Sequence, residues 1–217
     1  MKGRLITFEG TEGCGKSTQI SLLAMRLQEL GYIVHMLREP GGTPIGEEIR
    51  HTLKHSQNNQ AMSPEAELLL MNASRAQLVR EIIRPALAKG EIILCDRFYD
   101  STTAYQGYGR QLDLSLVNSI ISAAVGETRP DLTLLLLVTT EMSEQRRLAR
   151  QSTIPFMRDR IEEEDRAFFE RVQQGYSAIA QAHPNRVHTL DASGPIEKVA
   201  EAIWTHVTPL LKEIAVA

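Results

Sequence analysis

Short apolar runs alternate with longer segments of helical periodicity along the 217-residue chain. Runs of strand length occur at 5–8, 33–37, 92–95, 132–138 and 187–190. Apolar residues recur at helical spacing over 16–30, 45–53, 65–89, 115–125, 143–151, 161–182 and 196–211. Because strands and helices alternate throughout, the pattern predicts a parallel sheet with helices on both faces. No linker divides the chain, so we expect one domain over 1–217.

Turn and cap residues refine these boundaries. Gly31 lies where the C-terminus of the first helix is expected. Ser63-Pro64-Glu65 is typical of a helix N-terminus, with a capping hydroxyl, proline at the first helical position and an acidic first turn. The long helix that follows, from Glu65 to about Lys89, is predicted to kink at Pro85.

The strongest chemical signal is the segment from Gly10 to Ser17, which matches the phosphate-binding pattern G-x-x-x-x-G-K-[ST] in full. It follows a predicted strand and opens a predicted helix, so backbone N–H groups and the helix N-terminus are expected to bind phosphate. Lys16 is expected to reach the β- and γ-phosphates. The predicted ATP-binding residues are Gly10, Thr11, Glu12, Gly13, Cys14, Gly15, Lys16, Ser17 and Thr18.

A second strand, Ile92-Ile93-Leu94-Cys95, ends at Asp96 and is similar to the segment that supports Mg²⁺ in P-loop folds. Ser17 and Asp96 are therefore the predicted metal ligands, Asp96 directly or through water. Together these features predict an α/β, three-layer P-loop NTPase fold with a five-stranded parallel sheet.

The composition excludes several classes of protein and several kinds of binding partner. Apolar residues make up 42% and charged residues 24%, which excludes disordered and disulfide-scaffold proteins. The net charge of −3 and an aromatic content of 5% argue against nucleic acid as a partner. No apolar run approaches the roughly 20 residues of a membrane helix, so no membrane partner is expected. Cys14 and Cys95 have neither zinc-ligand nor redox-motif spacing, which favours a cytoplasmic chain with reduced thiols.

Absent motifs help to define the reaction. The sequence has neither the Asn-Lys-x-Asp motif of GTPases nor the Leu-Ser-Gly-Gly signature of transport ATPases. Arginines cluster near predicted loops instead, which suits a kinase that holds two phosphorylated ligands together. Two alternatives stay open at this point: a small P-loop kinase of another monophosphate or nucleoside, and a nucleotide-binding regulatory module without catalysis.

Four segments carry a family resemblance: Phe8 to Gly13, Arg38 to Thr43, Asp96 to Gln106, and Asp159 to Glu162. Their order and spacing resemble those of thymidylate kinases over nearly the whole chain. The resemblance implies Mg²⁺-dependent transfer of the ATP γ-phosphoryl group to dTMP, giving dTDP and ADP for dTTP synthesis. It also implies a homodimer.

The resemblance assigns the phosphate and sugar contacts of dTMP. Arg38 and Arg97 would grip the acceptor phosphate, because guanidinium forks match phosphate oxygens. Glu12 would approach the sugar 3′-hydroxyl, and Tyr105 would pack against the 2′ position and disfavour a ribonucleotide.

The base contacts are assigned in the same way. Arg75 would hydrogen-bond the thymine O4, while Thr102 and Gln106 would face the nucleoside. Met71 occupies the position where the family commonly has a phenylalanine stacked on the base. A thioether can pack on an aromatic face, so Met71 is expected to replace that contact.

An arginine-rich stretch over about 147–160 is the predicted lid. One group of the family carries its extra catalytic arginine in the phosphate loop, where this chain has Gly13. The lid would then supply that arginine, as in the bacterial-type group. We favour Arg150 and Arg158, with Arg160 in the Asp-Arg-Ile-Glu motif, and with Lys16 and Arg97 they complete the predicted catalytic set.

Overall fold

A parallel sheet of five strands forms the centre of the computed structural model, which describes residues 3–151 and 159–212. The strands are β1 (Arg4–Glu9), β2 (Val34–Arg38), β3 (Ile92–Asp96), β4 (Leu132–Leu137) and β5 (Val187–Asp191). They lie in the order β2-β3-β1-β4-β5. The predicted strands and their parallel arrangement are confirmed.

Helices connect the strands and cover the sheet. They are α1 (Lys16–Glu29), α2 (Pro44–Lys54), α3 (Pro64–Leu78), α4 (Arg84–Ala88), α5 (Tyr99–Thr102), α6 (Leu114–Val125), α7 (Thr140–Gln151), α8 (Arg166–Ala182) and α9 (Ile196–Leu211). Two π-helical segments, Val79–Ile83 and Thr103–Gly109, lie between them. Within the described ranges, no helix has both the length and the apolar character that crossing a bilayer requires.

The alternation of strand side chains separates two apolar layers. Ile6 and Phe8 of β1 pack with residues of α1 and α9 on one face of the sheet. Leu5 packs with residues of α3 and α6 on the other. Leu135 of β4 packs with α8. Because successive strand residues point to opposite faces, burial on both faces produces the predicted three layers.

Side-chain caps determine where two of the predicted helices begin. The Ser63 hydroxyl accepts from the Ala66 N–H at 3.2 Å, and Pro64 follows at the first helical position. Thr43 caps α2 in the same way, accepting from the Gly46 N–H at 3.0 Å. In each case a side chain satisfies one of the N–H groups that the first helical turn leaves unpaired.

The predicted start of the helix over 161–182 is wrong. α8 begins at Arg166 because Asp165 caps it, its carboxylate accepting from the Phe168 N–H at 2.7 Å. The residues before Asp165 form turns instead. An aspartate at the capping position outweighs the apolar spacing that Ile161 contributes to the pattern.

The long helix predicted over 65–89 is also divided. α3 ends at Leu78, the π-helical segment Val79–Ile83 follows, and α4 contains Pro85 in its first turn. Proline has no N–H and its ring crowds the preceding turn, so the backbone leaves α-geometry upstream of Pro85.

The helical segment over 99–109 has no counterpart in the predicted elements. Thr102 and Thr103 are β-branched, and Gly107 and Gly109 have low helix propensity, so the local signal is weak. Tertiary packing overrides it. A Cβ on Gly109 would lie 2.7 Å from the Phe168 ring, which shows how closely this segment approaches α8.

The carboxyl ends of three strands are level. Asp96 at the end of β3 pairs in register with Phe8 of β1 and with Arg38 of β2. The loops after these strands therefore meet at one edge of the sheet, where open parallel sheets bind their ligands.

Candidate active site

The loop between β1 and α1 forms the floor of a large cavity. Gly10, Gly13 and Gly15 have φ of 131°, 73° and 97°, values that residues other than glycine rarely adopt. Lys16 folds back over the loop, its Nζ donating to the carbonyls of Gly10 at 3.1 Å and Thr11 at 2.9 Å. Among the residues that the structure describes, none caps the N-terminus of α1 with its side chain, so the first N–H groups of this helix can bind an anion.

This cavity has a volume of about 1050 Å³. Its walls carry Arg38, Arg50 and Arg146 in addition to the loop and Lys16. The guanidinium groups of the wall and the backbone N–H groups of the loop make the cavity suitable for a polyphosphate. Arg50, whose Nη1 donates to the Pro40 carbonyl at 2.9 Å, is a wall residue that the sequence did not single out.

Ser17 and Asp96 meet in this cavity. The Ser17 hydroxyl donates to the Asp96 carboxylate at 3.0 Å. Both side chains provide hard oxygen donors, which fit Mg²⁺ when the remaining ligands come from phosphates and water. The two predicted metal ligands are therefore close enough to serve one ion.

Arg97 lies at the centre of the site. Its Nη2 donates to Glu12 at 2.8 Å and to the Tyr105 hydroxyl at 3.3 Å. Its Nη1 donates to Ser101 at 3.1 Å and to the Tyr176 hydroxyl at 3.2 Å. Four side chains from the phosphate loop, the segment after β3 and α8 thus fix one guanidinium.

Glu12 is held in its charged form by this arrangement. Burial acts to raise the pKa of its carboxyl, but the charges of Arg97 and Lys16 outweigh burial and hold the pKa well below its usual value. Glu12 therefore presents a permanent acceptor beside Arg97.

Glu9 binds two of the residues that hold Arg97, Ser101 and Tyr176, and sequence reasoning missed it. Its carboxylate accepts from the Phe98 N–H at 2.8 Å, the Ser101 hydroxyl at 2.6 Å and the Tyr176 hydroxyl at 2.9 Å. Burial, with the nearby charge of Asp100, raises its pKa to about 7. A carboxylate at the end of a strand that is mostly buried is the signal that could have found it.

A second, smaller cavity opens beside Arg97, with a volume of about 50 Å³. It brings together all the predicted dTMP-binding residues except Arg38. These are Glu12, Met71, Arg75, Arg97, Thr102, Tyr105 and Gln106. Phe169 of α8 also lines this cavity and was not predicted. We refer to this space as the nucleoside cavity.

Arg75 is buried beneath the nucleoside cavity and fully engaged by protein. Its Nε donates to Glu39 at 2.8 Å, and its Nη1 donates to Asn72 and Thr102, both at 2.9 Å. Its Nη2 donates to the Phe98 carbonyl and pairs with Glu39 at 2.7 Å. A base can therefore approach Arg75 only by sharing donors that the protein has already positioned.

Arg38 stands apart from the other predicted dTMP-binding residues. It lies in the large cavity, half-exposed, with its Nη2 donating to Glu47 at 2.9 Å. Glu12, Glu39, Lys54, Arg97, Asp159 and Glu162 line both cavities. The cavities are therefore contiguous, and Arg38 lines the large one only.

The structure places the predicted lid arginines unevenly. Arg158 lies outside the described residues, and for Arg150 only the backbone is described, as part of α7. Arg160 is buried against Glu67 and donates from its Nη2 to the Met62 carbonyl at 3.0 Å, lining neither cavity. Arg146 of α7 reaches the phosphate loop, with its Nη1 3.4 Å from the Gly13 carbonyl.

Comparisons with known proteins agree with this geometry. A family model described as thymidylate kinase matches residues 8–203. The thymidylate kinase of Thermomicrobium roseum is 49% identical over 207 residues, 95% of each chain. That of Syntrophotalea carbinolica is 47% identical over 204 residues, 92% of each chain. The crystal structure of thymidylate kinase from Ehrlichia chaffeensis superposes with a TM-score of 0.77 at 31% identity, over 95% of this chain and 100% of that one.

Proposed function

The chain belongs to the thymidylate kinase family, and from this premise we propose which of its residues carry the reaction. The enzyme is a nucleoside monophosphate kinase that transfers the γ-phosphoryl group of ATP to dTMP with Mg²⁺, giving dTDP and ADP. The observation that carries the proposal is the position of Arg97, which lines both cavities.

ATP occupies the large cavity in this proposal. Its phosphates lie on the backbone N–H groups of residues 10–18 and on the N-terminus of α1, with Lys16 beside the β- and γ-phosphates. The positive φ of the loop glycines and the uncapped helix N-terminus support this placement.

Ser17 and Asp96 hold Mg²⁺, which neutralises the charge of the β- and γ-phosphates when it is bound. The 3.0 Å contact between their oxygens supports a shared site. Asp96 acts directly or through a water ligand.

dTMP occupies the nucleoside cavity, which at about 50 Å³ has to widen to admit it, with its phosphate at the junction of the two cavities. Arg97 and Arg38 bind that phosphate, Glu12 accepts from the sugar 3′-hydroxyl, and Tyr105 packs against the 2′ position. At the far end of the cavity, Met71, Arg75, Thr102 and Gln106 contact the base. The acceptor oxygen and the γ-phosphate then meet beside Arg97, as direct transfer requires.

Charge on the transferring phosphoryl group is stabilised by Lys16, Arg97 and the lid arginines Arg150 and Arg158. The absence of an arginine at position 13 supports the lid as their source. Separate Arg150→Ala and Arg158→Ala variants test this. Each is expected to lower kcat at least about tenfold at saturating ATP and dTMP, and an unchanged kcat removes that arginine from the set.

A coupled ADP-release assay tests the assignment as a whole. With ATP fixed, dTMP is expected to give the highest kcat/KM in a panel that includes UMP, dUMP, GMP and CMP. A clear preference for another acceptor contradicts the placement of the base. ATP binding without ADP release would favour the regulatory module over the kinase.

The proposal extends to assembly and location. Residues 1–217 form one domain with a lid over about 147–160, and two copies form a homodimer in the cytoplasm. The buried free thiols of Cys14 and Cys95 suit a reducing compartment. Sedimentation at micromolar concentration is expected to give twice the monomer mass, and a monomer would contradict the dimer.

A further inference from the structure

Glu67 of α3 lies at the centre of a buried polar cluster outside the catalytic residues. Its side chain has no exposed surface. Its carboxylate accepts from Gln106 Nε2 at 2.8 Å and from Arg110 Nη2 at 2.9 Å, and it also contacts Arg160. One carboxylate therefore joins a residue of the nucleoside cavity to two arginines behind it.

The chemistry of Glu67 determines which end of the Gln106 amide it meets. An ionised carboxylate can only accept hydrogen bonds, so the amide NH₂ must face it. Burial acts to raise the pKa of Glu67, but Arg110, with Gln106 and Arg160, lowers it below its usual value. Glu67 thus stays ionised at neutral pH. The Gln106 amide cannot flip, because its oxygen would then face the Glu67 carboxylate and both groups only accept hydrogen bonds.

The other end of the Gln106 amide is its oxygen. Gln106 lines the nucleoside cavity with Arg75 and Thr102. Within residues 3–151 and 159–212, no hydrogen bond to the Gln106 oxygen accompanies the one from its nitrogen. The cavity wall therefore presents an acceptor, held in that orientation by Glu67.

We propose that Glu67 is a specificity-determining positioning residue: by fixing the Gln106 amide, it selects a pyrimidine whose ring N3 carries a hydrogen. Thymine has such an N3–H, and cytosine has a lone pair at the same position. The inference rests on the proposed placement of the base beside Gln106. Glu67 itself does not contact the nucleotide.

The energetic reason is the cost of a mismatched pair in a dry site. A cytosine N3 lone pair opposite the Gln106 oxygen would leave two buried acceptors without a hydrogen between them. Sites that hydrogen-bond a substrate group discriminate strongly against analogues that lack it. The cationic Arg75 below the cavity adds to the preference, because it favours a carbonyl over an amino group.

Glu67→Gln tests the proposal. A glutamine can donate as well as accept, so Gln106 becomes free to turn its NH₂ toward the base. The quantity to measure is the ratio of kcat/KM for dTMP to that for dCMP. We expect the ratio to fall at least about tenfold relative to the wild-type protein.

Arg110→Lys is the matched control. It removes the paired guanidinium hydrogen bonds but keeps a cation beside Glu67, so Glu67 stays ionised and the ratio is expected to stay within about threefold of the wild type. An equal fall in Arg110→Lys would show that the effect comes from disturbed packing and would overturn the proposal.

Gln106→Met can still overturn the proposal if Glu67→Gln does not fold. It removes the acceptor and leaves the charged cluster in place, so the ratio is again expected to fall at least about tenfold. An active wild-type protein whose ratio is unchanged in either folded variant overturns this inference alone. A wild-type protein without activity on dTMP overturns the proposed function, and this inference with it.

Discussion

Arg97 combines a left-handed backbone conformation with a guanidinium that is hydrogen-bonded to four side chains. Its φ of 70° is in the left-handed region, which costs a branched or long residue of the order of 1 kcal/mol. The contacts with Glu12, Tyr105, Ser101 and Tyr176 hold it there. A guanidinium fixed before the substrate arrives needs no reorganisation when charge develops on the phosphoryl group.

Arg97→Ala is expected to lower kcat by about 10²- to 10³-fold, because the variant loses a positioned cation at the acceptor phosphate. ATP affinity should change little, since the phosphate loop and Lys16 remain. Steady-state kinetics and ATP titration measure the two effects. Arg26→Ala, at the exposed ion pair with Glu201, serves as the control, and unchanged turnover in Arg97→Ala would remove Arg97 from the site.

The buried Glu9 predicts a particular dependence of stability on pH. Its pKa of about 7 lies above its ordinary value, so between about pH 5 and pH 7 the folded state binds a proton that the unfolded state has lost. Its contribution to the free energy of unfolding is therefore greatest at low pH and falls as pH rises through about 7. One pKa unit corresponds to about 1.4 kcal/mol.

Glu9→Gln isolates this contribution, because an amide mimics the neutral acid in size. Urea unfolding measures the free energy of unfolding of both proteins at pH 5 and pH 8. The value for the variant, relative to the wild type, is expected to rise by about 2–3 kcal/mol between these two pH values. A difference between the two proteins that is constant with pH would mean that Glu9 does not titrate in this range.

The sequence predicted the residues of the site that belong to a contiguous motif. The phosphate loop, Asp96 and Arg97 follow strands directly, so their position in the chain fixes their position at the sheet edge. Tyr176 is 79 residues from Arg97 along the chain. Only the packing of α8 against the segment after β3 brings it there, and no local pattern indicates such a contact.

At the scale of elements, the close approach of β1 to β4 determines the shape of the phosphate loop. A Cβ on Gly10 would lie 2.3 Å from the Leu136 carbonyl oxygen and 3.0 Å from the Cys14 sulfur. The φ of 131° adds a second obstacle to any side chain. Neither strand can yield without breaking the ladder between them.

Gly10→Ala is therefore expected to destabilise the protein by at least about 2 kcal/mol and to abolish ATP binding. Gly15→Ala has the backbone strain but no neighbour within 4 Å in the described part of the chain, and Gly194→Ala has neither. Thermal unfolding is expected to show the greatest loss of stability for Gly10→Ala, a smaller loss for Gly15→Ala and the smallest for Gly194→Ala. Equal losses for Gly10 and Gly15 would mean that the contact with Leu136 is unimportant.

The boundaries of the elements were predictable where caps are local. Ser63 and Pro64 placed the start of α3 correctly, since one hydroxyl and one ring determine it. Asp165 is an equally local cap, but the apolar spacing before it obscured the signal. The π-helical turn over 103–109 depends on Phe168 and Val172 of another helix, so the sequence of the turn itself cannot indicate it.

At the scale of the whole molecule, ligand binding is expected to stabilise the fold. A non-hydrolysable ATP analogue at 100 times its Kd adds about 2.7 kcal/mol, which for a chain of this size raises Tm by about 5–10 °C. Scanning fluorimetry measures the shift. AMP at the same concentration lacks the β- and γ-phosphates and should give a smaller shift, and an equal shift would place the binding determinants outside the loop.

The level ends of β1, β2 and β3 restrict how the length of this chain can change. One residue added within β3 would turn Asp96 to the opposite face of the sheet and move Arg97 out of reach of Glu12. The connection over 30–33 enters β2 at the other edge, and its Leu30 and Ile33 are exposed. Insertions, affinity tags and new chain termini should therefore be tolerated there, remote from the chemistry, and selected against where the strands end.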